Sequence, residues 1–173
     1  MNRATYVKAD TMRVILALLM PYNRLAMQIA LATGLRIDDV LSLPRDALLR
    51  QRVTIREKKT GKSRRITIPA AVREELLKLS APGGQWAFPG RNPDRHRTRQ
   101  AVWADVNRAA QALRLRGTVS PHSARKVFAV DELRRFDGDL ERVQAVLGHK
   151  FAGTTAIYAF SDQIPAKKTG KRG

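Results

Sequence analysis

Cysteine is absent from this sequence, and long apolar runs are scarce. Without cysteine the chain has no disulfides, no thiolate metal sites and no cysteine nucleophile, which fits a reducing compartment. The apolar run at residues 14–20 ends at Pro21 and is far shorter than the roughly 20 residues that span a membrane. No small-residue cleavage site follows this run, so it does not match a secretory signal peptide. We therefore expect a cytoplasmic protein with no membrane partner.

Two further motifs are absent from the sequence, and their absence argues against nucleotide-dependent and two-metal chemistry. The sequence has no glycine-rich phosphate loop of the P-loop type, which argues against a bound nucleotide. It also has no cluster of carboxylates of the kind that two-metal nucleases use. We expect no metal, no nucleotide and no other cofactor.

Positive charge is what the sequence has in excess. It contains 33 Lys and Arg against 15 Asp and Glu, a formal net charge of +18. Such an excess repels itself in the compact state and indicates a polyanionic partner. Nucleic acid is the natural candidate, because each phosphate that is neutralised releases condensed counterions. The basic residues are spread along the chain rather than along one helix face, which disfavours an acidic membrane surface.

Length and hydrophobic pattern predict a single, mostly helical α+β domain. The chain has 173 residues and 43% hydrophobic content, enough for one buried core. Two runs with period two, Val53-Thr54-Ile55 and Ile66-Thr67-Ile68, flank a turn and predict an antiparallel hairpin. Residues 80–97 are rich in Pro and Gly and predict a loop with at most a short strand, and residues 163–173 predict a basic, disordered tail. Capping residues and apolar spacing predict helices near residues 10–20, 22–33, 36–41, 70–79, 98–115, 122–136, 139–148 and 154–160.

The last third of the chain places chemically active side chains at ordered spacings. His122 and Arg125 are three residues apart, so on a helix they share one face and can point at one ligand. An arginine can donate two parallel hydrogen bonds to a phosphate. His149 follows Leu147-Gly148, where a glycine ends a helix, and Tyr158 comes nine residues later. Taken singly, each has an ordinary interpretation, such as a solvated histidine at a helix start or a tyrosine in the core.

Arg36 lies upstream in the run Gly34-Leu35-Arg36-Ile37-Asp38-Asp39. Asp39 is three residues after Arg36, so an ion pair or a backbone contact from Asp39 would hold the arginine in position. By itself, Arg36 would be interpreted as an exposed helix residue.

As an ordered set, these residues resemble the catalytic domain of the tyrosine recombinases, the phage integrase family. The resemblance covers residues 11 to 160 and includes an H-x-x-R-x-x-F arrangement and the Leu-Gly-His, Thr-Thr, Tyr series. It implies a site-specific DNA recombinase that cleaves and rejoins DNA through a 3′-phosphotyrosine, without metal or ATP. The catalytic residues that it implies are Arg36, Lys59, His122, Arg125, His149 and Tyr158.

The resemblance also implies a role for each of these residues. Tyr158 would attack the DNA phosphate, Arg36 and Arg125 would bind its charge, and Lys59 would protonate the departing 5′ oxygen. His122 would assist proton transfer, and His149 would hydrogen-bond a nonbridging oxygen. Lys59 lies next to Thr60-Gly61 on the hairpin, where the family has its lysine, but Lys58 and Lys62 remain open alternatives.

Basic clusters in the hairpin and in the central loop predict contacts to phosphates that position a duplex without reading bases. A solvated basic face is the alternative for each residue. The DNA contacts that we expect are Arg56, Lys58, Lys62, Arg64, Arg65, Arg97, Arg99 and Lys126.

The resemblance implies a catalytic domain at residues 1–162, without the N-terminal core-binding domain that most members carry, and the chain would be either a single-domain member or an excised catalytic domain. Double-stranded DNA would be the partner, and the protein, of bacterial or phage origin, would act as a homo-oligomer, a tetramer on DNA. Three alternatives are a DNA-binding regulator that keeps the fold without catalysis, a type IB topoisomerase, and a generic RNA- or ribosome-binding basic protein.

Overall fold

Seven α-helices and one hairpin make up residues 4–148, the part of the chain that the computed structural model describes. Their bounds follow local stop and start signals: Pro21 opens the second helix, Thr98 caps the fifth, and Asp139 caps the seventh. The predicted last helix and tail lie outside the described residues. In chain order the elements are α1 Ala9–Ala17, α2 Pro21–Thr33, α3 Ile37–Leu41, a 3₁₀ helix Arg45–Leu49, β1 Arg52–Arg56, β2 Ser63–Thr67, α4 Ala70–Leu79, α5 Arg99–Ala112, α6 Pro121–Arg135 and α7 Leu140–Leu147.

Helix α2 is the centre of the fold. It packs against α1, α3, α4, α5 and α6, and Leu25, Met27 and Ile29 are fully buried. Full burial of each such side chain stabilises the fold by about 1.5–3 kcal/mol. Helices α6 and α7 pack together around a second apolar cluster that includes Phe128, Leu133 and other residues. No helix within residues 4–148 is long and apolar enough to span a membrane.

Gly34 ends α2 and brings two helices close together. Its φ is +65°, in the left-handed region that favours glycine. A Cβ here would also lie 2.3 Å from the ring of Phe128 on α6. Glycine at this position therefore lets the end of α2, and with it Arg36, approach α6 closely.

The hairpin and its alternation are as predicted, and the structure gives the register of the two strands. Val53 pairs with Ile66 and Ile55 with Arg64 on the inward side, whereas Thr54 pairs with Arg65 on the outward side. Ile66 is buried and joins the main core. Because neighbouring residues in a strand face opposite sides, Arg64 and Arg65 point in opposite directions.

The segment between α4 and α5 has no regular element, as predicted, but it is anchored. Its predicted short strand is reduced to isolated bridges, Pro44 with Trp86 and Pro89 with His96. Phe88 is fully buried in the core. The 3₁₀ helix Arg45–Leu49, which the sequence pattern did not predict, precedes β1 and packs against α4.

Candidate active site

A cleft of about 390 Å³ lies between α3 and the N-terminal ends of α5 and α6. Three of the predicted catalytic residues, Arg36, His122 and Arg125, line it together. Residues 91 positions apart in sequence meet here, since Arg125 donates to the carbonyl of Gly34. The cleft also contains Leu35, Ile37, Asp38, Arg99, Gln100, Trp103, Ser120 and Pro121.

Arg36 stands at the N-cap position of α3, in extended backbone directly after Gly34-Leu35. Its Nη1 donates to Oε2 of Glu57 over 2.8 Å, and 23% of its side chain is exposed. The carboxylate fixes one edge of the guanidinium and leaves other N–H groups for a ligand in the cleft.

Arg125 lies on the inner face of α6 and is 1% exposed. Its Nη1 donates to the carbonyl of Gly34, and its Nη2 donates to the carbonyl of Leu147 over 2.5 Å. These carbonyls belong to the C-terminal ends of α2 and α7, where helix acceptors have no partner within the helix. Arg125 therefore joins two helix ends while it lines the cleft.

His122 occupies the first turn of α6 and lines the cleft. The surrounding protein removes much of the water from the ring, and this, together with the charges of Arg125, Lys126, Arg36 and Lys59, lowers the pKa of His122 to about 4. The ring is therefore neutral at pH 7. A neutral imidazole can accept a proton, as the expected role requires.

Lys59 is exposed on the hairpin turn, between two neighbours that are held in place. The backbone N–H of Lys58 donates to Oδ1 of Asp39 over 3.0 Å, and the hydroxyl of Thr60 donates to Oε2 of Glu57 over 2.9 Å. Lys59 lies close enough to His122 for its charge to lower the pKa of that imidazole, whereas Lys58 turns to Nε2 of His96, 3.4 Å away. Lys59 stays the predicted general acid among the three candidate lysines.

Of the two contacts expected between Asp39 and Arg36, the structure has the backbone contact and not the ion pair: the backbone N–H of Asp39 donates to the carbonyl of Arg36 over 2.9 Å. The carboxylate that binds Arg36 belongs to Glu57, and Asp39 instead accepts the backbone N–H of Lys58. Asp39 lies on the buried side of α3, 4% exposed, where its carboxylate faces the hairpin turn. The aspartate therefore holds the turn that carries Lys59.

The residues predicted to bind DNA fall into two groups. Arg56, Lys58, Lys62, Arg65 and Arg99 are exposed. Arg64 and Arg97 are partly buried, and Lys126 is half-buried beside His122.

Arg64 and Arg97 make contacts within the protein. Arg64 donates to the carbonyl of Thr33 and lies 3.7 Å from Glu57, and burial lowers its pKa. Arg97 stacks 5.4 Å from the ring centroid of Tyr22. Through these contacts Arg64 and Arg97 contribute to the packing of the fold, and their predicted DNA contacts stay predictions.

Sequence reasoning missed Glu57, Gln100, Trp103 and His96. Glu57 is a buried acidic residue in a basic hairpin, and its isolation among positive charges was a signal for a structural ion pair. Trp103 is 47% exposed at the cleft, one turn after Gln100 on α5. No sequence pattern indicated that Gln100 and Trp103 line the cleft. The predicted catalytic residues His149 and Tyr158 lie outside the described residues.

Comparison with known proteins agrees with this arrangement. A profile of the phage integrase family matches residues 6–163. The chain belongs to the phage integrase family. The tyrosine recombinase XerD of Bradyrhizobium diazoefficiens is 32% identical over 147 residues, which is 76% of this chain and 46% of that protein. The chain thus spans about half the length of this relative.

Solved structures show the same fold. The XerH site-specific recombinase in a post-cleavage complex with its difH substrate matches with a TM-score of 0.72 and 24% identity, over 92% of this chain and 50% of that one. The catalytic domain of bacteriophage HP1 integrase matches with a TM-score of 0.65 and 18% identity, over 92% of this chain and 89% of that one. The predicted fold class, a mostly helical tyrosine-recombinase catalytic domain with a small antiparallel sheet, is confirmed.

Proposed function

We propose that this protein is a site-specific DNA recombinase of the integrase or invertase type. The observation that carries the proposal is the meeting of Arg36, His122 and Arg125 in one cleft, with Lys59 close by on a braced turn. Membership of the phage integrase family supports this proposal, as does the similarity to the tyrosine recombinase XerD.

The cleft suits a phosphodiester. Arg36 and Arg125 offer guanidinium N–H groups, and the N-terminal end of α6 adds the positive end of a helix dipole. Donors held in place before the reaction stabilise the charge that builds on nonbridging oxygens in the transition state. The ion pair that fixes the Arg36 guanidinium and the burial of Arg125 provide this preorganisation.

The proposed reaction is a transesterification. The hydroxyl oxygen of Tyr158 attacks the phosphorus, the bond to the 5′ oxygen breaks, and Lys59 gives that oxygen a proton. A 3′-phosphotyrosine forms, and His122, neutral at pH 7, assists removal of the tyrosine proton. A 5′-hydroxyl from a partner strand then attacks the phosphotyrosine and restores a DNA phosphodiester. His149 would hydrogen-bond a nonbridging oxygen.

The proposed function also includes binding of duplex DNA and assembly of several copies on it. Double-stranded DNA is the partner, and the exposed Arg56, Lys58, Lys62, Arg65 and Arg99 contact its phosphates together with Lys126. The protein acts on DNA in the cytoplasm, with four copies on two sites, and it serves the integration, excision, inversion or resolution of DNA in a mobile element.

A suicide-substrate assay tests the function. Nicked duplexes that carry candidate sites are incubated with the wild-type protein and with Tyr158→Phe in EDTA, and the products are separated on a denaturing gel. We expect a covalent protein–DNA adduct with the wild type and none with Tyr158→Phe, although both bind the duplex. Binding without an adduct would instead indicate a DNA-binding regulator, and an adduct that persists in Tyr158→Phe would overturn the nucleophile assignment.

A further inference from the structure

We propose that Glu57 is a positioning residue that holds Arg36 and the Lys59 turn in one fixed geometry. The inference rests on the proposed function, since it concerns how the cleft is assembled for strand cleavage. Glu57 lies at the end of β1, directly before the turn, and its carboxylate reaches α3.

Glu57 is a carboxylate buried among cations. It is 2% exposed, and its Oε2 accepts from Nη1 of Arg36 at 2.8 Å while Oε1 lies 3.7 Å from Nη1 of Arg64. A buried charge of this kind is tolerated when it is paired, and breaking the pair leaves an uncompensated charge. The pairing therefore fixes Arg36 relative to the hairpin.

The same oxygen that binds Arg36 also binds the turn. Oε2 of Glu57 accepts from the hydroxyl of Thr60 at 2.9 Å. The backbone of Glu57 closes the turn, since its carbonyl accepts from Gly61 at 2.8 Å and its N–H donates to the carbonyl of Lys62 at 3.0 Å. With Lys58 held by Asp39, both neighbours of Lys59 are fixed to acidic residues.

The carboxylate also lies beside the end of α7. A Cβ added to Gly148 would lie 3.7 and 3.8 Å from the two carboxylate oxygens of Glu57. The preceding residue, Leu147, supplies the carbonyl that Arg125 binds. Glu57 thus lies where the hairpin, α3 and the end of α7 meet, and displacing it would shift several reacting groups together.

A charge-removing variant tests this role. Glu57→Gln keeps the shape of the side chain, and Glu74→Gln on the exposed side of α4 is a matched control with the same change in charge. We expect Glu57→Gln to slow adduct formation in single turnover by about 10- to 100-fold, because small displacements of reacting groups have effects of that size. The Kd for the duplex should stay within about threefold of the wild type, since phosphate contacts on the exposed surface persist. The control should cleave at the wild-type rate.

A second pair of variants keeps the proposal falsifiable if Glu57→Gln does not fold. Thr60→Val removes the hydroxyl that donates to Glu57 with little change in shape, and Thr60→Ser retains the hydroxyl. We expect slow cleavage from Thr60→Val and near wild-type cleavage from Thr60→Ser. Equal rates for the two variants would overturn the positioning role of the turn contact.

Coupling to Arg36 separates positioning from general stability. If Glu57 acts through Arg36, then Glu57→Gln slows cleavage less in an Arg36→Ala background than in the wild type. Independent, multiplicative losses would overturn the proposal, as would a loss of cleavage matched by an equal loss of DNA binding. Failure of the proposed function would be seen separately, because the wild-type protein itself would then form no adduct.

Discussion

The Nη2 atom of Arg125 donates a hydrogen bond to the backbone carbonyl of Leu147, 2.5 Å away, at the end of α7. The other terminal nitrogen donates to the carbonyl of Gly34 at the end of α2. One buried side chain thus connects two helix ends and still faces the cleft. A substitution of Arg125 therefore has two separable effects, one on strand cleavage and one on the stability of the fold.

We expect Arg125→Lys to reduce cleavage by about 10²-fold or more, because an ammonium cannot donate in several fixed directions as a guanidinium does. Arg125→Ala should in addition lower the free energy of unfolding by about 1–3 kcal/mol, since two buried carbonyls lose their donor. Adduct assays and urea denaturation measure the two effects. Arg134→Ala, on the exposed side of the same helix, is the control. Cleavage by Arg125→Lys at the wild-type rate would contradict the assignment.

The hairpin lysines can be distinguished by the leaving group. A DNA substrate whose 5′ bridging oxygen is replaced by sulfur releases a thiolate, which needs no proton from a general acid. We expect Lys59→Ala to cleave the ordinary substrate slowly and the sulfur substrate at close to the wild-type rate.

Lys58→Ala and Lys62→Ala serve as matched controls in this experiment. Both lysines are exposed, and we expect these variants to bind DNA more weakly without a preference for the sulfur substrate. If Lys58→Ala or Lys62→Ala alone were rescued by sulfur, the general acid would be that lysine.

Adjacent arginines in β2 offer a second matched pair. Arg65 faces outward and is exposed, whereas Arg64 faces inward and donates to the carbonyl of Thr33. We expect Arg65→Ala to weaken DNA binding and to reduce the slope of log K against log salt by about 1. Arg64→Ala should lower the Tm and leave the salt slope nearly unchanged. Binding isotherms at several salt concentrations measure the salt slopes, and thermal melts measure the Tm. Equal salt slopes for the two variants would contradict a DNA contact by Arg65 and a structural role for Arg64.

Local signals in the sequence predicted most of the fold. Gly34 marks the end of α2, and Ser120 and Pro121 mark the start of α6, because caps and glycines act within one turn of the chain. The inward direction of Arg64 could also have been predicted from the alternation of β2, although charge alone suggested a DNA contact. Such local rules place a residue on an element and on one face of it.

Long-range contacts account for what the sequence did not reveal. Asp39 was expected to hold Arg36 through an ion pair or a backbone contact. Its backbone N–H does donate to the carbonyl of Arg36, but the carboxylate that pairs with the Arg36 side chain belongs to Glu57, 21 residues away. Both acidic residues connect α3 to the hairpin. Glu57 binds the guanidinium of Arg36, and Asp39 accepts a hydrogen bond from the backbone N–H of Lys58. Which of two nearby carboxylates binds a given cation depends on how the hairpin packs on α3, and no spacing rule contains that information.

Protonation of His122 makes the stability of the fold depend on pH. Loss of hydration and four nearby cations hold its pKa at about 4 in the free protein, below the ordinary value of 6.5. Between these two values the unfolded chain binds the proton more readily than the folded chain does. The contribution of His122 to stability is therefore present above pH 6.5 and falls as the pH drops toward 4.

We expect the NMR signal of the His122 ring to titrate well below that of a free histidine, with His122→Gln to assign the signal and His96→Gln as the control. Urea denaturation at pH 7 and pH 5 should show a smaller loss of stability for His122→Gln than for the wild type. A bound duplex places phosphates in the cleft, so its negative charge should raise the pKa of His122, and binding near pH 5 should take up protons. A titration of His122 at an ordinary histidine pKa in the free protein would contradict the loss of hydration at the ring and the effect of the four cations.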